Sequence, residues 1–277
     1  MFTDIEDFGR YVQGLEMSIT IEALSPSIMQ AEDVFNKAVG TELLEDLLLE
    51  TKIAERVKSA IANYAMYRYL IFWSASKNNT SQSLYKYQYE AMRNEYVSIF
   101  WSSMDAVFAW LDSEKPEKWT SSYNYRIREQ LPVKSAVEFD RYFQIDKSSY
   151  FFSKVQFIMK KIMDDEILPR IQALSAPGEK IMEKVNRVLC YHTIAQAVML
   201  FDVLELPPSI RVDIAHEYTK ESSLIQTREK IKSILMSDVE KYYSDLEAEV
   251  KNIVDKEASL VVLGNMNEEE NNFYATL

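Results

Sequence analysis

The chain has 277 residues, among them five glycines, one cysteine and two histidines, and its formal net charge is −12. A single cysteine excludes an internal disulfide and a thiolate metal cluster. So few glycines argue against a sheet fold rich in tight turns, because such turns need residues that tolerate positive φ. The acidic balance argues against sequence-specific DNA binding, since that binding depends on Lys and Arg displacing counterions.

Apolar residues in the first part of the chain recur at helical spacing. A short amphipathic helix is predicted over 3–15, with Thr3 as its N-cap and Glu6 completing a capping box. The stripe from Leu24 to Ala38, followed by Gly40, predicts a second helix with a glycine C-cap. The same spacing predicts two long helices, over 52–75 and 81–112, separated by a loop at 77–80.

The second part of the chain follows a similar plan, with helices predicted over 151–168, 179–201 and 221–255. An offset of 124 residues between the second helices puts Tyr67 on Tyr191 and Arg68 on His192. This alignment suggests a duplicated three-helix unit, and chance periodicity is the alternative. Because Arg68 interrupts an apolar stripe, it should be buried and meet a carboxylate or several carbonyls.

The predicted fold class is therefore all-α, with two related three-helix units. The stretch between them places aromatic residues among many charges without a regular pattern. It is predicted to be irregular, with one short helix near 133–143. The four predicted regions are an N-terminal helical unit (1–113), an aromatic-rich connecting segment (114–150), a C-terminal helical unit (151–258) and an extended tail (259–277).

No motif in the sequence predicts catalysis, and no metal or cofactor is expected. His192 falls on an apolar stripe, which favours a buried, hydrogen-bonded residue over a ligand. His216 follows Asp213 at helical spacing, but a di-iron bundle needs a Glu-x-x-His unit on each of two helices. Cys190 has no basic neighbour in sequence, which indicates a buried thiol rather than a nucleophile.

Tyrosine and tryptophan are enriched at protein interfaces, and the chain has 17 and four of them. The connecting segment and the tail carry such residues where a packed core is least expected. Most rings should fill ordinary core, and a tail without any role is the simplest alternative for the C-terminus. The candidate interface residues are Trp119, Tyr123, Tyr125, Leu260, Leu263, Phe273 and Tyr274.

The N-terminus lacks the basic start and apolar run of a signal peptide. The most apolar stretches, 65–72 and 195–201, are far shorter than the ~20 residues that span a bilayer. The sequence thus predicts a soluble protein that is not secreted and has no membrane partner.

Six segments of the chain carry a family resemblance. They are Phe8-Gly9-Arg10-Tyr11-Val12, Ala31-Glu32-Asp33-Val34-Phe35, Val39-Gly40-Thr41-Glu42-Leu43-Leu44, the helix around Ala60 to Tyr69, Glu166-Ile167-Leu168-Pro169-Arg170 and Asn271-Asn272-Phe273. These segments resemble a helical family found in phages and prophages of Bacteroides-type bacteria. The order of helix, turn and long helix is also similar to head–tail connector (adaptor) proteins of tailed phages.

The resemblance implies a structural protein of the virion, assembled in the host cytoplasm, that carries no chemistry. Connector proteins dock as a ring on the portal and extend the DNA channel, so the implied partners are the portal, other head–tail proteins and further copies of the chain. Most connectors are about half this length, and a duplicated unit would account for the difference. The alternatives are a non-viral helical scaffold that binds a partner protein and, third, a helical metal enzyme.

Overall fold

The computed structural model describes residues 1–16, 18–78, 86–215 and 221–266. Within these ranges the regular structure is helical and no strand occurs, so the all-α prediction is confirmed. The helices are α1 (Ile5–Gly9), α2 (Ile21–Val39), α3 (Leu44–Leu49), α4 (Ala54–Asn78), α5 (Lys86–Glu114), α6 (Glu117–Thr120), α7 (Tyr123–Glu129), α8 (Ala136–Phe139), α9 (Ser149–Ile162), α10 (Leu168–Ile171), α11 (Glu179–Leu200), α12 (Pro208–Ala215) and α13 (Glu221–Met266).

The first helix is shorter than predicted. Its N-cap is Asp4 rather than Thr3, and the Asp4 side chain accepts a hydrogen bond from the backbone N–H of Asp7 at 2.8 Å. Five residues after α1 ends at Gly9, Gly14 adopts a φ of 73°, which lies outside the helical region. The second helix agrees with its pattern, since Thr20 caps its start and Gly40, at a φ of 115°, follows its end.

In the N-terminal unit, α4 packs between α2 and α5. One face of α4 is fully buried, and Val57 and Ile61 lie on it. The same helix buries one polar side chain, Asn63, whose Nδ2 donates to the carbonyls of Tyr11 at 2.9 Å and Ser59 at 2.8 Å. These bonds attach the segment after α1 to the central helix of the unit.

In the C-terminal unit, α11 packs between α9 and α13 in the same order. His192 on α11 is 8% exposed, and its Nδ1 lies 3.1 Å from the Tyr243 hydroxyl. The prediction of a buried, hydrogen-bonded histidine is thus confirmed. The prediction for Arg68 is wrong, because Arg68 is partly exposed and its Nε donates to the amide oxygen of Gln30 at 3.0 Å. The shared helix order fits a duplication, which remains a prediction.

The two units meet where α5 crosses the start of α9. Asp105 on α5 accepts hydrogen bonds from the Ser148 hydroxyl at 2.8 Å and the Tyr150 N–H at 2.9 Å. Ser148 is in turn the N-cap of α9. The Tyr150 ring packs against Trp101 and Phe108, with centroid distances of 4.7 and 5.7 Å. One hydrophobic core therefore runs through both units.

The C-terminal helix is longer than predicted. The sequence predicted an extended tail from residue 259, but α13 continues to Met266, so this prediction is wrong for 259–266. Once packing against α11 has formed a helix, each further residue adds one hydrogen bond. The low helix propensity of Val261 and Val262 costs only a few tenths of a kcal/mol each, which is too little to end it.

Candidate interaction surface

A groove follows α11 and α13 in the C-terminal unit and is closed on one side by residues 141–144. It consists of two connected cavities, of about 660 and 520 Å³, that share Tyr142 and Tyr191. We call the first cavity the polar end of the groove and the second the apolar end. The polar end is lined by Arg141, Tyr142, Glu179, Met182, Glu183, Asn186, Arg187, Tyr191 and Tyr242, and the apolar end by Tyr142, Phe143, Gln144, Tyr191, Ile194, Ser209, Ile210, Ile231, Ile234 and Leu235.

Aromatic rings packed edge to face form the floor where the two ends of the groove meet. The Tyr191 ring packs edge-on against Phe143 at 5.1 Å and against Tyr242 at 5.0 Å between centroids. The Arg187 guanidinium lies 5.8 Å from the centroid of Tyr242. Burial and the hydrogen bond with Tyr242 raise the pKa of Tyr191, so its hydroxyl remains a neutral donor at physiological pH. This floor offers flat apolar faces with polar edges, a surface that suits aromatic side chains.

The apolar end leaves aliphatic side chains in contact with solvent. Ile234 on α13 is 58% exposed, and its neighbours Ile231 and Leu235 are partly buried. Ile194 and Ile210 complete the wall from α11 and α12. A concave cavity lined mainly by apolar side chains is the usual form of a binding site, and Ile234 is the lining residue that solvent reaches most.

The wall opposite α13 is held in shape by the loop that precedes α9. Asp146 and Lys147 both adopt left-handed backbone conformations, with φ of 57° and 54°. The Asp140 carboxylate stabilises this turn by accepting from the N–H groups of Ile145 at 2.7 Å and Lys147 at 3.2 Å. Asp146 then accepts from the N–H of Ser209 at 2.9 Å, which fixes the loop against α12. The apolar end is therefore preformed.

The polar end contains an unsatisfied acceptor. Asn186 is 8% exposed, and its Nδ2 donates to the Tyr142 hydroxyl at 3.4 Å. Its Oδ1 is buried and accepts no hydrogen bond from the described part of the chain. A buried acceptor without a donor costs free energy, and burial also closes this oxygen off from a bound segment.

The three interface residues predicted in the connecting segment differ from one another in exposure. That segment contains three short helices, α6, α7 and α8, where the sequence predicted one. Trp119 is only 2% exposed and packs edge-on against Phe108 at 5.5 Å, so its prediction as an interface residue is wrong. Tyr125 is half-buried beneath the Arg128 guanidinium, 4.7 Å from its ring centroid. Tyr123, at 71% exposure, is accessible to a partner.

Helices α6 and α7 pack against the N-terminal unit. Lys118 pairs with Asp46 at 2.7 Å, and the Asn124 amide donates to the carbonyl of Ala38 at 2.9 Å. Residues 18–129, from the segment before α2 to the end of α7, match a family model described as "Family of unknown function (DUF6712)". The matched stretch thus contains α6 and α7 together with the three-helix unit that they cover.

No curated protein and no solved structure matches the chain. The family model covers the chain to the end of α7 and gives no activity.

The structure describes only part of the tail that carries the predicted interface residues. Leu260 and Leu263 lie on α13, as helical backbone rather than as part of the extended tail that the sequence predicted. Phe273 and Tyr274 lie outside the described residues. Residues 255–258, just before Leu260, are exposed, so α13 extends past the core before it reaches these positions.

Two titratable residues that the sequence singled out, His192 and Cys190, are buried in the core. Burial lowers the pKa of His192, which keeps its imidazole neutral at physiological pH. Cys190 is fully buried as predicted, and burial raises the pKa of its thiol, which disfavours the reactive thiolate. His216 lies outside the described residues. No group of three or more potential metal ligands occurs among the residues that the structure describes, and no described helix is long and apolar enough to cross a membrane.

Sequence reasoning missed the groove itself. Its walls come from four separate parts of the chain, between residues 141 and 242, so no local pattern joins them. The one available signal was Ile234, an apolar residue beside Leu235 that the helical stripe of α13 does not need.

Proposed function

We propose that the protein is a non-enzymatic assembly subunit, a phage head–tail connector that docks as a ring on the portal and extends the DNA channel. The observation that carries the proposal is the preformed groove on an all-helical frame whose last helix extends past the core. A rigid groove and a projecting segment are the two halves of a protein–protein contact.

The charge of the chain supports a channel role. A net charge of −12 repels phosphate, so DNA would pass such a surface without binding to it. The helix order of each unit and the segments that resemble phage connectors support the same proposal. The matched family model, which covers one unit with its short helices, is consistent with the shorter length of most connectors.

The test is to mix the purified protein with the portal protein encoded beside it and to image the mixture by electron microscopy. We expect a ring of density on one face of the portal, absent from the portal alone. If the micrographs show the portal without an added ring at micromolar concentrations of the protein, the connector proposal is wrong.

The alternative is a non-viral helical scaffold that binds a partner protein. The groove supports this alternative equally, since it does not depend on a portal. The neighbouring genes discriminate between the two: portal and major capsid genes beside this one favour the connector, and their absence favours the scaffold.

A further inference from the structure

The apolar end of the groove has a preformed shape and one exposed aliphatic side chain, Ile234, but none of the described residues fills it. Ile234 remains 58% exposed although the rings of Phe143 and Tyr191 lie in the same cavity. A cavity of about 520 Å³ has room for one or two aromatic side chains. The groove therefore fits a segment that carries adjacent aromatic residues.

The sequence after α13 has this composition. Residues 268–270 are three consecutive glutamates, and Phe273 and Tyr274 follow them. The polar end carries no net charge, because Arg141 and Arg187 lie there with Glu179 and Glu183, and Arg187 pairs with Glu183 at 3.5 Å. The aromatic pair, rather than the three glutamates, is therefore the part of the segment that the groove fits.

The segment after α13 cannot reach the apolar end of the groove in its own chain. Met266 lies 31 residues beyond Leu235 on α13, a distance of about 46 Å along a helix that rises 1.5 Å per residue. Tyr274 lies eight residues beyond Met266, and even a fully extended chain of that length spans at most about 29 Å. Only the groove of another molecule is within reach of the aromatic pair.

We infer that Phe273 and Tyr274 of one copy bind in the apolar end of the groove of a second copy. The contact is heterologous because the tail of one copy and the groove of the next are different surfaces. Such contacts close into rings when the rotation between copies permits. The inference deepens the proposed function and rests on its self-assembly, because it names the contact between neighbouring subunits.

The first experiment measures binding of a fluorescent peptide with the sequence of residues 267–277 to the full-length protein. The protein carries Phe273→Ala and Tyr274→Ala, so that its own tails leave the grooves free. We expect saturable binding, weakened about tenfold or more when the peptide carries the same two alanines, because the alanines remove most of the apolar area that the cavity would bury. Equal binding of both peptides, or none, would overturn the inference.

The matched pair of groove variants is Ile234→Glu and Ile225→Glu, each added to the tail variant. Both residues lie on α13 and are similarly exposed, at 58% and 53%, but only Ile234 lines the groove. We expect Ile234→Glu to abolish peptide binding and Ile225→Glu to leave it unchanged. If both variants or neither weaken binding, the peptide does not occupy this cavity.

A second experiment tests the exchange between whole chains. The tail variant has an intact groove, and Ile234→Glu in the otherwise unchanged chain has an intact tail. We expect light scattering to show each variant alone as a monomer, at concentrations up to those at which the peptide saturates the groove. An equimolar mixture of the two variants should form a dimer. No dimer in the mixture would contradict the exchange.

These outcomes are separable from the fate of the proposed function. If the peptide fails to bind but the protein still forms a ring on the portal, the tail contact is wrong and the connector proposal stands. If the peptide binds and no portal ring forms, the tail contact stands and the connector proposal falls.

Discussion

The two helical units differ in how their edges are covered. In the N-terminal unit, α6 and α7 fold back over α5, and Trp119 and Arg128 close the surface that α5 would otherwise expose. In the C-terminal unit, residues 141–144 pack on α11 through Tyr142 and Phe143 but leave a groove open beside α11 and α13. A three-helix unit thus becomes a closed support or an open binding surface according to what the following segment covers.

The largest effect should come from removing the residue that closes the N-terminal unit. Trp119→Ala deletes a buried ring that packs on Phe108 and donates to Asp112 at 3.3 Å, so we expect a loss of about 3–5 kcal/mol in the free energy of unfolding. Urea denaturation measures it. Tyr123→Ala, in the same segment but 71% exposed, is the control and should change stability by less than about 0.5 kcal/mol. Equal losses from the two variants would mean that α6 and α7 do not close this unit.

The next effect concerns the ion pair beneath the same segment. Arg128 is 6% exposed, and its guanidinium lies 2.7 Å from the Asp112 carboxylate. Arg128→Met leaves Asp112 without its cation and should cost about 2 kcal/mol, less than the ~3–5 kcal/mol of a fully buried pair because the Asp112 side chain keeps 30% exposure. Lys134→Met breaks the exposed pair with Glu129 and serves as the control, with an expected change near zero in the same denaturation assay.

The long helices were predictable from the sequence because their apolar stripes persist over many turns. The stripes that predicted α2, α5 and α11 lie within five residues of the observed bounds. The short helices α6 to α8 have four to seven residues each, so no period could separate buried Trp119 from exposed Tyr123. The groove was unpredictable for a different reason, since its shape depends on where distant segments pack.

The mistake at Arg68 has the same origin. A charged residue on an apolar stripe was expected to be buried, but the long side chain reaches the edge of α4 and meets Gln30 there. The position on α11 that the 124-residue offset aligns with it holds His192, whose shorter side chain stays inside and bonds to Tyr243. Periodicity identified the stripe in both helices, and side-chain length decided which residue remained buried.

His192 offers a smaller test, confined to the C-terminal unit. His192→Phe keeps a ring but loses the bond to Tyr243, and we expect a cost of about 1 kcal/mol at pH 8. Because burial lowers the folded-state pKa of His192, its contribution is present above the unfolded value of 6.5 and is lost as the pH falls through the folded value. The stability difference between parent and variant, from urea unfolding at several pH values, should therefore shrink below pH 6.5. A difference that stays constant to pH 5 would contradict the neutral, buried imidazole.

The smallest effect is expected at the junction, where Asp105 of one unit holds the N-cap of the other. Burial raises the pKa of this carboxyl above the ordinary 3.8, although the bonds from Ser148 and Tyr150 oppose the shift. The favourable contribution of a group with a raised pKa is fully present below its unfolded value and is lost as the pH rises through its folded value. The folded protein therefore disfavours the charged form of this carboxyl, which is desolvated between the two units.

Asp105→Asn removes that charge but keeps an oxygen that can accept both hydrogen bonds. We expect the variant to be at least as stable as the parent at pH 7, with the advantage shrinking as the pH falls toward 3.8, in urea unfolding followed at each pH. Asp165→Asn, an exposed position on the turn after α9, is the matched control and should show no such trend. If Asp105→Asn is instead markedly less stable at pH 7, the negative charge itself holds the start of α9. The two units would then be joined by electrostatic capping of that helix rather than by the shared core around Tyr150.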